Sequence, residues 1–299
     1  MKCLVTGGAG FIGGHVVDAL LKENHEVLVI DDCSSTANDK FHFVSGAQYH
    51  NHDIRNYDLI EPHFSNVDWV FHLAAKSRIQ PTINNPTETC EVNFSGTCNI
   101  LEASRKNKVK RVVFSSTSSI YGLKNTPPLK EDMPTDCLNP YSVSKLAAES
   151  LCKMYYTLYG LKTVTLRYFN VFGPREPKRG EYAPVVGLFM RQKKNKDPLT
   201  VVGDGSQTRD FTHVKDVVNA NLLAAKSKNK KCFGEIFNVG TGKRMSILKL
   251  AKIINSPYSH IEERKGEAKD TEADISKTKK FLNWEPKEDI KKYIKEISK

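Results

Sequence analysis

Thr6-Gly7-Gly8-Ala9-Gly10-Phe11-Ile12-Gly13 is the stretch that decides the fold. A short apolar run over 3–6 leads into it, and an amphipathic stretch over 11–23 leads out of it. The glycines satisfy G-x-G-x-x-G from Gly8 and G-x-x-G-x-x-G from Gly7. Glycine is needed where a strand turns tightly into a helix and where backbone must approach a pyrophosphate closely. The helix start then presents free N–H groups and the positive end of its dipole to the phosphates. Gly7, Gly10, Phe11, Ile12 and Gly13 are therefore candidate dinucleotide-binding residues. Asp31 ends the next apolar run, 26–30, at the distance where a carboxylate accepts hydrogen bonds from the adenosine ribose. Asp32 follows, and no arginine is near. Two carboxylates repel the extra phosphate of NADP, so NAD is the expected cofactor. Asp53-Ile54 is a candidate for the adenine edge, with a turn cap as the alternative for Asp53.

Further strands are expected at 69–73, 111–115 and 163–167, with amphipathic segments near 85–107 and 141–159. Strand–helix alternation with short connections predicts an α/β protein with a parallel sheet covered on both faces. Ligands bind such sheets outside the carboxyl ends of the strands. Beyond 167 the rhythm loosens around Gly173-Pro174, Pro184, Gly203 and Gly205, then returns at 209–227 with a strand over 235–239. Two units are expected: 1–169 with about 210–240, and about 170–209 with 241–299, the second smaller and non-contiguous. The lysine-rich stretch 255–299 keeps apolar anchors at Ile275, Phe281, Leu282, Trp284, Ile290, Tyr293 and Ile297, so it is expected to fold.

The 299 residues are 39% hydrophobic and 26% charged, which excludes wholesale disorder. No apolar run approaches the roughly 20 residues that cross a bilayer. The apolar stretch at the N-terminus is too short for a signal peptide, so a cytoplasmic protein without a membrane partner is expected. The net charge is +11, from 45 basic and 34 acidic side chains. The excess is scattered over polar stretches such as 193–196 and 226–231 without interleaved aromatics, so no nucleic-acid partner is expected. Seven cysteines, with no C-x-x-C and no Cys/His group at zinc-ligand spacing, predict free thiols and no metal.

Ser115-Ser116-Thr117-Ser118-Ser119 follows the strand at 111–115, and Tyr141 and Lys145 stand four residues apart, on one face of a helix. A phenol with an ordinary pKa near 10 needs help to act as a base. An ammonium and a positively charged nicotinamide both favour the phenolate. Thr117 can hydrogen-bond the same substrate hydroxyl. Thr117, Tyr141 and Lys145 thus form a candidate catalytic set.

Together these motifs resemble the extended short-chain dehydrogenase/reductases, in the NAD-dependent nucleotide-sugar epimerase/dehydratase family. The resemblance spans nearly the whole chain. It takes in His72-Leu73-Ala74-Ala75, Asn93 before Gly96, and the run from Leu166 through Tyr168, Asn170 and Gly173-Pro174-Arg175. It continues through Gly203-Asp204-Gly205, Arg209-Asp210-Phe211, His213-Val214, Asn238-Val239-Gly240 and Arg264-x-Gly266-Glu267. The resemblance implies a Rossmann-type doubly wound sheet with a smaller substrate lobe. It implies that Leu73, Ala74, Ala75, Asn93 and Tyr168 join the NAD site. Asn170, Arg209 and Arg264 would face a UDP group, Glu267 its ribose and Val202 its uracil. An ion pair with Asp210 or Asp216 is the alternative for Arg209. Family members form dimers through the helices near 93–107 and 141–159, so a homodimer is expected.

Dehydratases of this family carry Asp-Glu after the hydroxyl donor, and decarboxylating members carry Glu at the second position. Here Ser118 and Ser119 stand there, as in the 4-epimerases. The implied activity is 4-epimerisation of a UDP-hexose by transient oxidation, with Tyr141 as base and NAD retained. Glucose-only members place a tyrosine seven residues after the arginine of Arg-x-Gly-Asp. Thr271 stands there, implying room for the 2-acetamido group of UDP-N-acetylglucosamine. Arg78, in the loop after Ala75, would favour UDP-glucuronate if it points inward. The alternatives are therefore a UDP-glucuronate 4-epimerase or decarboxylase, another dehydratase, or a non-catalytic NAD-binding protein.

Overall fold

A computed structural model describes residues 1–35, 38–178 and 183–298. Its centre is a parallel sheet of seven strands: β1 (Lys2–Thr6), β2 (Glu26–Ile30), β3 (Gln48–His50), β4 (Trp69–His72), β5 (Arg111–Thr117), β6 (Thr163–Tyr168) and β7 (Glu235–Val239). The spatial order is β3-β2-β1-β4-β5-β6-β7. Thr6 pairs with Ile30 of β2 on one side and with His72 of β4 on the other. The chain therefore reverses its direction of winding at β1, and the crevice between the loops after β1 and β4 is where such sheets bind ligands.

Alternate residues of each strand feed opposite faces. Val5, Phe71, Val113 and Phe237 enter one core with Val17 and Leu20 of the helix Phe11–Lys22 and Val217 of the helix Val214–Lys226. Leu4, Val70, Val112 and Phe114 enter the other, against Ile100 and Leu101 of the helix Gly96–Lys106 and Ala148 and Cys152 of the helix Pro140–Tyr159. A third core lies away from the sheet. It gathers Phe172, Phe189, Leu199, Val201, Phe211, Leu250, Ile254 and Ile294 from the less regular parts of the chain.

Several boundaries differ from the sequence expectation. β5 runs on to Thr117, so the first three residues of the hydroxyl-rich segment are sheet and Ser118 and Ser119 open a turn. The helix expected over 85–107 is interrupted by a π-helical turn, Glu91–Ser95. The edge strand β3 and the pair Leu199–Val202 and Tyr258–Ile261 carry too few residues for a periodic signal. In the C-terminal stretch, Leu282 and Trp284 pack on the large sheet while Ile290 and Ile294 join the third core. Ile297, expected as an anchor, is 42% exposed. Among the described residues no helix is long and apolar enough to cross a membrane.

Candidate active site

One cavity of about 530 Å³ runs along the carboxyl ends of β1, β2, β4, β5 and β6 and reaches the third core. At its first end stands the glycine loop. Gly7 has φ +71°, and a Cβ there would sit 2.7 Å from the Ala74 backbone nitrogen. A Cβ on Gly13 would collide with the Gly7 carbonyl oxygen. Gly10 starts the helix without a side-chain cap, and the first turn holds no acid, so its N–H groups and dipole remain open to an anion. Phe11, Ile12, Leu73, Ala74 and Ala75 line the same wall, as do Asp53 and Ile54.

Asp31 accepts from the backbone N–H groups of Ala9 (2.9 Å) and Cys33 (2.9 Å). Its carboxyl is pushed up by burial, against those two bonds. Each oxygen retains acceptor capacity for a ribose hydroxyl. Asp53 is held by Arg55 at 2.6 Å, an exposed pair that draws its carboxyl below the usual range. An uncapped helix start, a cradle that any Cβ would fill and a carboxylate at the second strand end fit a dinucleotide.

Thr117 closes β5 and caps the turn Ser118–Tyr121, accepting from the Ser119 N–H at 3.1 Å. Its hydroxyl also donates to Ser119 Oγ at 3.1 Å. Tyr141 lies in the first turn of the helix Pro140–Tyr159. A capping box fixes that turn: Ser142 N–H donates to Asn139 Oδ1 at 2.9 Å, and the Asn139 N–H donates to Ser142 Oγ at 3.3 Å. Tyr141 hydrogen-bonds Thr117, which lowers its pKa, but burial outweighs the bond and raises the phenol overall. Lys145, one turn further on, is brought down to about 8 by burial, against the charges of Cys152 and Glu149. Its Nζ lies 4.4 Å from the Phe114 ring centre. Lys145 does not by itself lower the phenol. That requires a further positive charge, which an oxidised nicotinamide would bring.

At the far end Arg209 is almost enclosed. It donates to the backbone oxygens of Thr208 (3.0 Å) and Lys269 (2.8 Å), and its guanidinium lies 3.6 Å from Glu267. It pairs with neither Asp210 nor Asp216. Asp210 accepts instead from Thr241, Gly242 and Ala273, and Asp216 from Lys287 and Glu288. Asn170 donates to the Asp210 carbonyl at 3.1 Å and to Thr271 Oγ1 at 3.2 Å. Arg78, Ser118, Ser119, Val202, Arg264, Glu267 and Thr271 all line the cavity. So does Tyr168, whose hydroxyl is bonded to Ser115 and Asn221.

Asn93 is the exception. It is buried off the cavity wall, accepting from Lys76 N–H at 2.8 Å and donating to Lys76 O (3.0 Å) and Ser144 Oγ (3.0 Å). The π-helical turn carries it to the loop after β4, which it braces against the Tyr141 helix rather than facing the cavity.

Three buried arrangements were not foreseen. His72 Nδ1 meets Thr6 Oγ1 at 2.6 Å and Nε2 meets Thr97 Oγ1 at 2.9 Å. Thr97 donates onward to Asn93 O, and Thr6 accepts from Ala74 N–H. Every donor then finds an acceptor only if His72 is neutral with its proton on Nε2; burial, then the Lys145 charge, take its pKa down to about 3. Glu149 and Arg167 form an enclosed ion pair at 2.7 Å behind Ser116. Glu176 lines the cavity with its carboxyl pushed up to about 8 by burial and Oε1 unbonded. His72 and Arg167 stand inside recognisable motifs, but their partners lie on distant elements. Glu176 carries no signal in its neighbours.

The sequence profile of the NAD dependent epimerase/dehydratase family matches residues 3–240. A relative from Methanocaldococcus jannaschii, provisionally named a UDP-glucose 4-epimerase, is 40% identical over 98% of this chain and 96% of its own. The crystal structure of a UDP-glucose 4-epimerase with UDP-glucose from Thermotoga maritima matches at 34% identity and TM-score 0.92, over 99% of this chain and 96% of that one. A UDP-N-acetylglucosamine 4-epimerase from Methanobrevibacter ruminantium, in complex with UDP-N-acetylmuramic acid, matches equally, at 34% identity and TM-score 0.92, over 99% of this chain and 96% of that one.

Proposed function

The chain belongs to the NAD-dependent epimerase/dehydratase family, and from that premise we propose that it is a 4-epimerase of UDP-hexoses. Its reactions would be UDP-glucose with UDP-galactose, and UDP-N-acetylglucosamine with UDP-N-acetylgalactosamine. The observation that carries the reading is the cavity wall around Thr117. Tyr141 and Lys145 share that wall, and the two positions after Thr117 offer only the hydroxyls of Ser118 and Ser119. A dehydratase needs an acid there to expel water. The 4-epimerase activities named for the three relatives described above support this choice.

NAD would lie along the glycine loop, Asp31, the 73–75 loop and Tyr168. When bound, it supplies reversible hydride acceptance from the sugar carbon and stays in place through the cycle. Tyr141 takes the proton of the 4-hydroxyl and returns it to the same oxygen, so the chain ends each turnover in its starting protonation state. Lys145 adds its charge to that of the nicotinamide in favouring the phenolate, and Thr117 holds the sugar oxygen in reach. Arg209 and Arg264 grip the diphosphate, for which forked cationic donors suit. Asn170 lies beside them, Glu267 takes the ribose, Val202 packs on uracil, and Thr271 leaves space beside carbon 2. In this reading 1–169 with about 210–240 holds the cofactor, and about 170–209 with 241–299 holds the sugar nucleotide; of these, 36–37, 179–182 and 299 lie outside the described residues.

The same reading makes the protein a cytoplasmic homodimer. Its support is the exposure of Phe94, Val143 and Leu158 on the two helices expected to meet (38%, 51% and 66%). Light scattering reads the mass directly. The activity test is proton NMR of the anomeric region after incubation with UDP-glucose, UDP-N-acetylglucosamine and UDP-glucuronate separately, wild type beside Tyr141→Phe. A 4-epimer formed only by wild type supports the reading. Loss of carbon dioxide or a keto-deoxy product overturns it. Arg78 favours the alternative substrate UDP-glucuronate, because it lines the cavity. Exclusive turnover of the uronate would shift the assignment there.

A further inference from the structure

Three histidines meet at the open edge of the sheet. His50 ends β3, His52 follows it, and His63 sits in the 3₁₀ turn Glu61–Phe64. Residues two apart in extended chain project to one side, and the His50 and His52 rings are nearly parallel, 6.2 Å apart and 11° off. The His63 ring closes on both, 3.8 Å from His50 and 5.2 Å from His52. One ring nitrogen from each lies within 4.8 Å of the other two. The supports are firm. Ile54, Ile60 and Phe64 are anchored in the core beneath, and β3 is registered on β2 through His50 and Ile30.

Nothing nearby occupies these rings. His72 has both ring nitrogens hydrogen-bonded, whereas no described residue hydrogen-bonds the ring nitrogens of His50, His52 or His63. The adjacent carboxylate, Asp53, is turned to Arg55 by three contacts of 2.6–2.9 Å. A neutral imidazole binds metal through either ring nitrogen.

The geometry points to a divalent transition-metal site formed by His50, His52 and His63. Neutral imidazoles suit zinc, nickel and copper, and three of them leave a fourth position for water. A tetrahedral ion with metal–nitrogen bonds of about 2.0–2.1 Å brings its donors to about 3.3 Å from one another. Rotation of these half-exposed rings supplies the remaining closure. Spacing along the chain gave no hint of the set, because the fold rather than the sequence brings His63 to the other two. His52 and Asp53 also line the large cavity, and His50 O accepts the Asp31 N–H at 3.1 Å. A bound ion would therefore pin the cavity wall beside Asp31. The inference does not depend on which sugar is turned over.

The test is calorimetric titration of zinc chloride into untagged protein in a non-chelating buffer, with the dinucleotide it retains. His50→Gln and His63→Gln are run beside wild type. The expected result is one saturable site per chain, at least tenfold weaker in each variant, and a zinc-induced rise in Tm that both variants lose. Unchanged metal-free Tm values show that the variants are folded. Equal binding by wild type and variants would place the ion elsewhere, on an exposed thiol such as Cys90, and overturn the site. A zinc-edge anomalous map of wild-type crystals needs no variant: a peak among the three rings supports the site, and a blank map overturns it.

Discussion

In the proposed reaction Tyr141 combines two opposed requirements. It would have to work on a sugar away from water, yet burial raises its pKa rather than lowering it. Lys145, brought down to about 8, is charged below that pH and withdraws its help above it. Tyr141→Phe keeps the ring and removes the proton acceptor. Turnover should fall by about 10²–10⁴-fold, the range for a positioned general base, with Tm unchanged; NMR conversion rates and a melting curve check both. Lys145→Met should move the acid limb of the kcat profile to higher pH, since the phenolate loses the ammonium one turn along its own helix. An unshifted limb would show that Lys145 only packs. These two residues and Thr117 were legible in the sequence because their spacing maps directly onto one strand end and one helix face. The His50–His52–His63 set was not, since it depends on a turn between elements.

At the scale of elements, the strand–glycine–helix unit was legible because it obeys local rules: an apolar run, a turn only glycine can make, and an uncapped helix start. Gly7→Ala tests that unit. An alanine at φ +71° costs roughly 1–2 kcal/mol, and its Cβ also presses on Ala74 N at 2.7 Å. The expected outcome is at least a tenfold loss of retained NAD, measured by absorbance after gel filtration, with the sheet still folded by circular dichroism. The π-helical turn Glu91–Ser95 was not legible. One added residue per turn leaves no mark in a hydrophobic period, yet it carries Asn93 to Lys76 and Thr97 to His72. The chain from Ala74 through Thr6, His72 and Thr97 to Asn93 joins β1, β4 and this helix, and it works only with a neutral imidazole. His72 titrates at about 3 in the folded chain, against 6.5 ordinarily. The unfolded chain therefore binds the proton first, and stability is full above pH 6.5 and lost as pH falls toward 3. The slope contributed is up to about 1.4 kcal/mol per pH unit. His72→Asn should be less stable at pH 7.5 by about 1–3 kcal/mol, yet show a flatter loss between pH 6.5 and 4. Urea unfolding at several pH values measures both.

Over the whole molecule, the cavity works only if its two ends keep register, and specific hydrogen bonds tie them. Asn139, which caps the Tyr141 helix, also donates to Gly266 O at 2.8 Å, and Gln80 donates to Lys265 O at 2.9 Å. Both reach the 264–267 segment that carries Arg264 and Glu267. The alternation of strands and helices made the large sheet legible. The third core was not, because its strands have four residues or fewer and its pieces are scattered from Phe172 to Ile294. Arg209 shows what this arrangement achieves. Its guanidinium is fixed at the far end by the Thr208 and Lys269 backbone oxygens, with Glu267 beside it, so on the proposed reading only Glu267 need move to admit an anion. A diphosphate would exchange the loose 3.6 Å contact with Glu267 for charge-assisted hydrogen bonds, and Glu267 would be released to the ribose. Arg209→Met keeps the stem and removes the fork. Charge-assisted bonds contribute about 1.5–3 kcal/mol each, so KM for the UDP-sugar should rise about 10–150-fold. Retained NAD should stay at the wild-type level, because the glycine loop is at the opposite end. UDP alone should raise the Tm of wild type and leave the variant's unchanged. A parallel loss of NAD would mean that the two ends are coupled through the 264–267 segment rather than independent, and Asn139→Ala would then reproduce it.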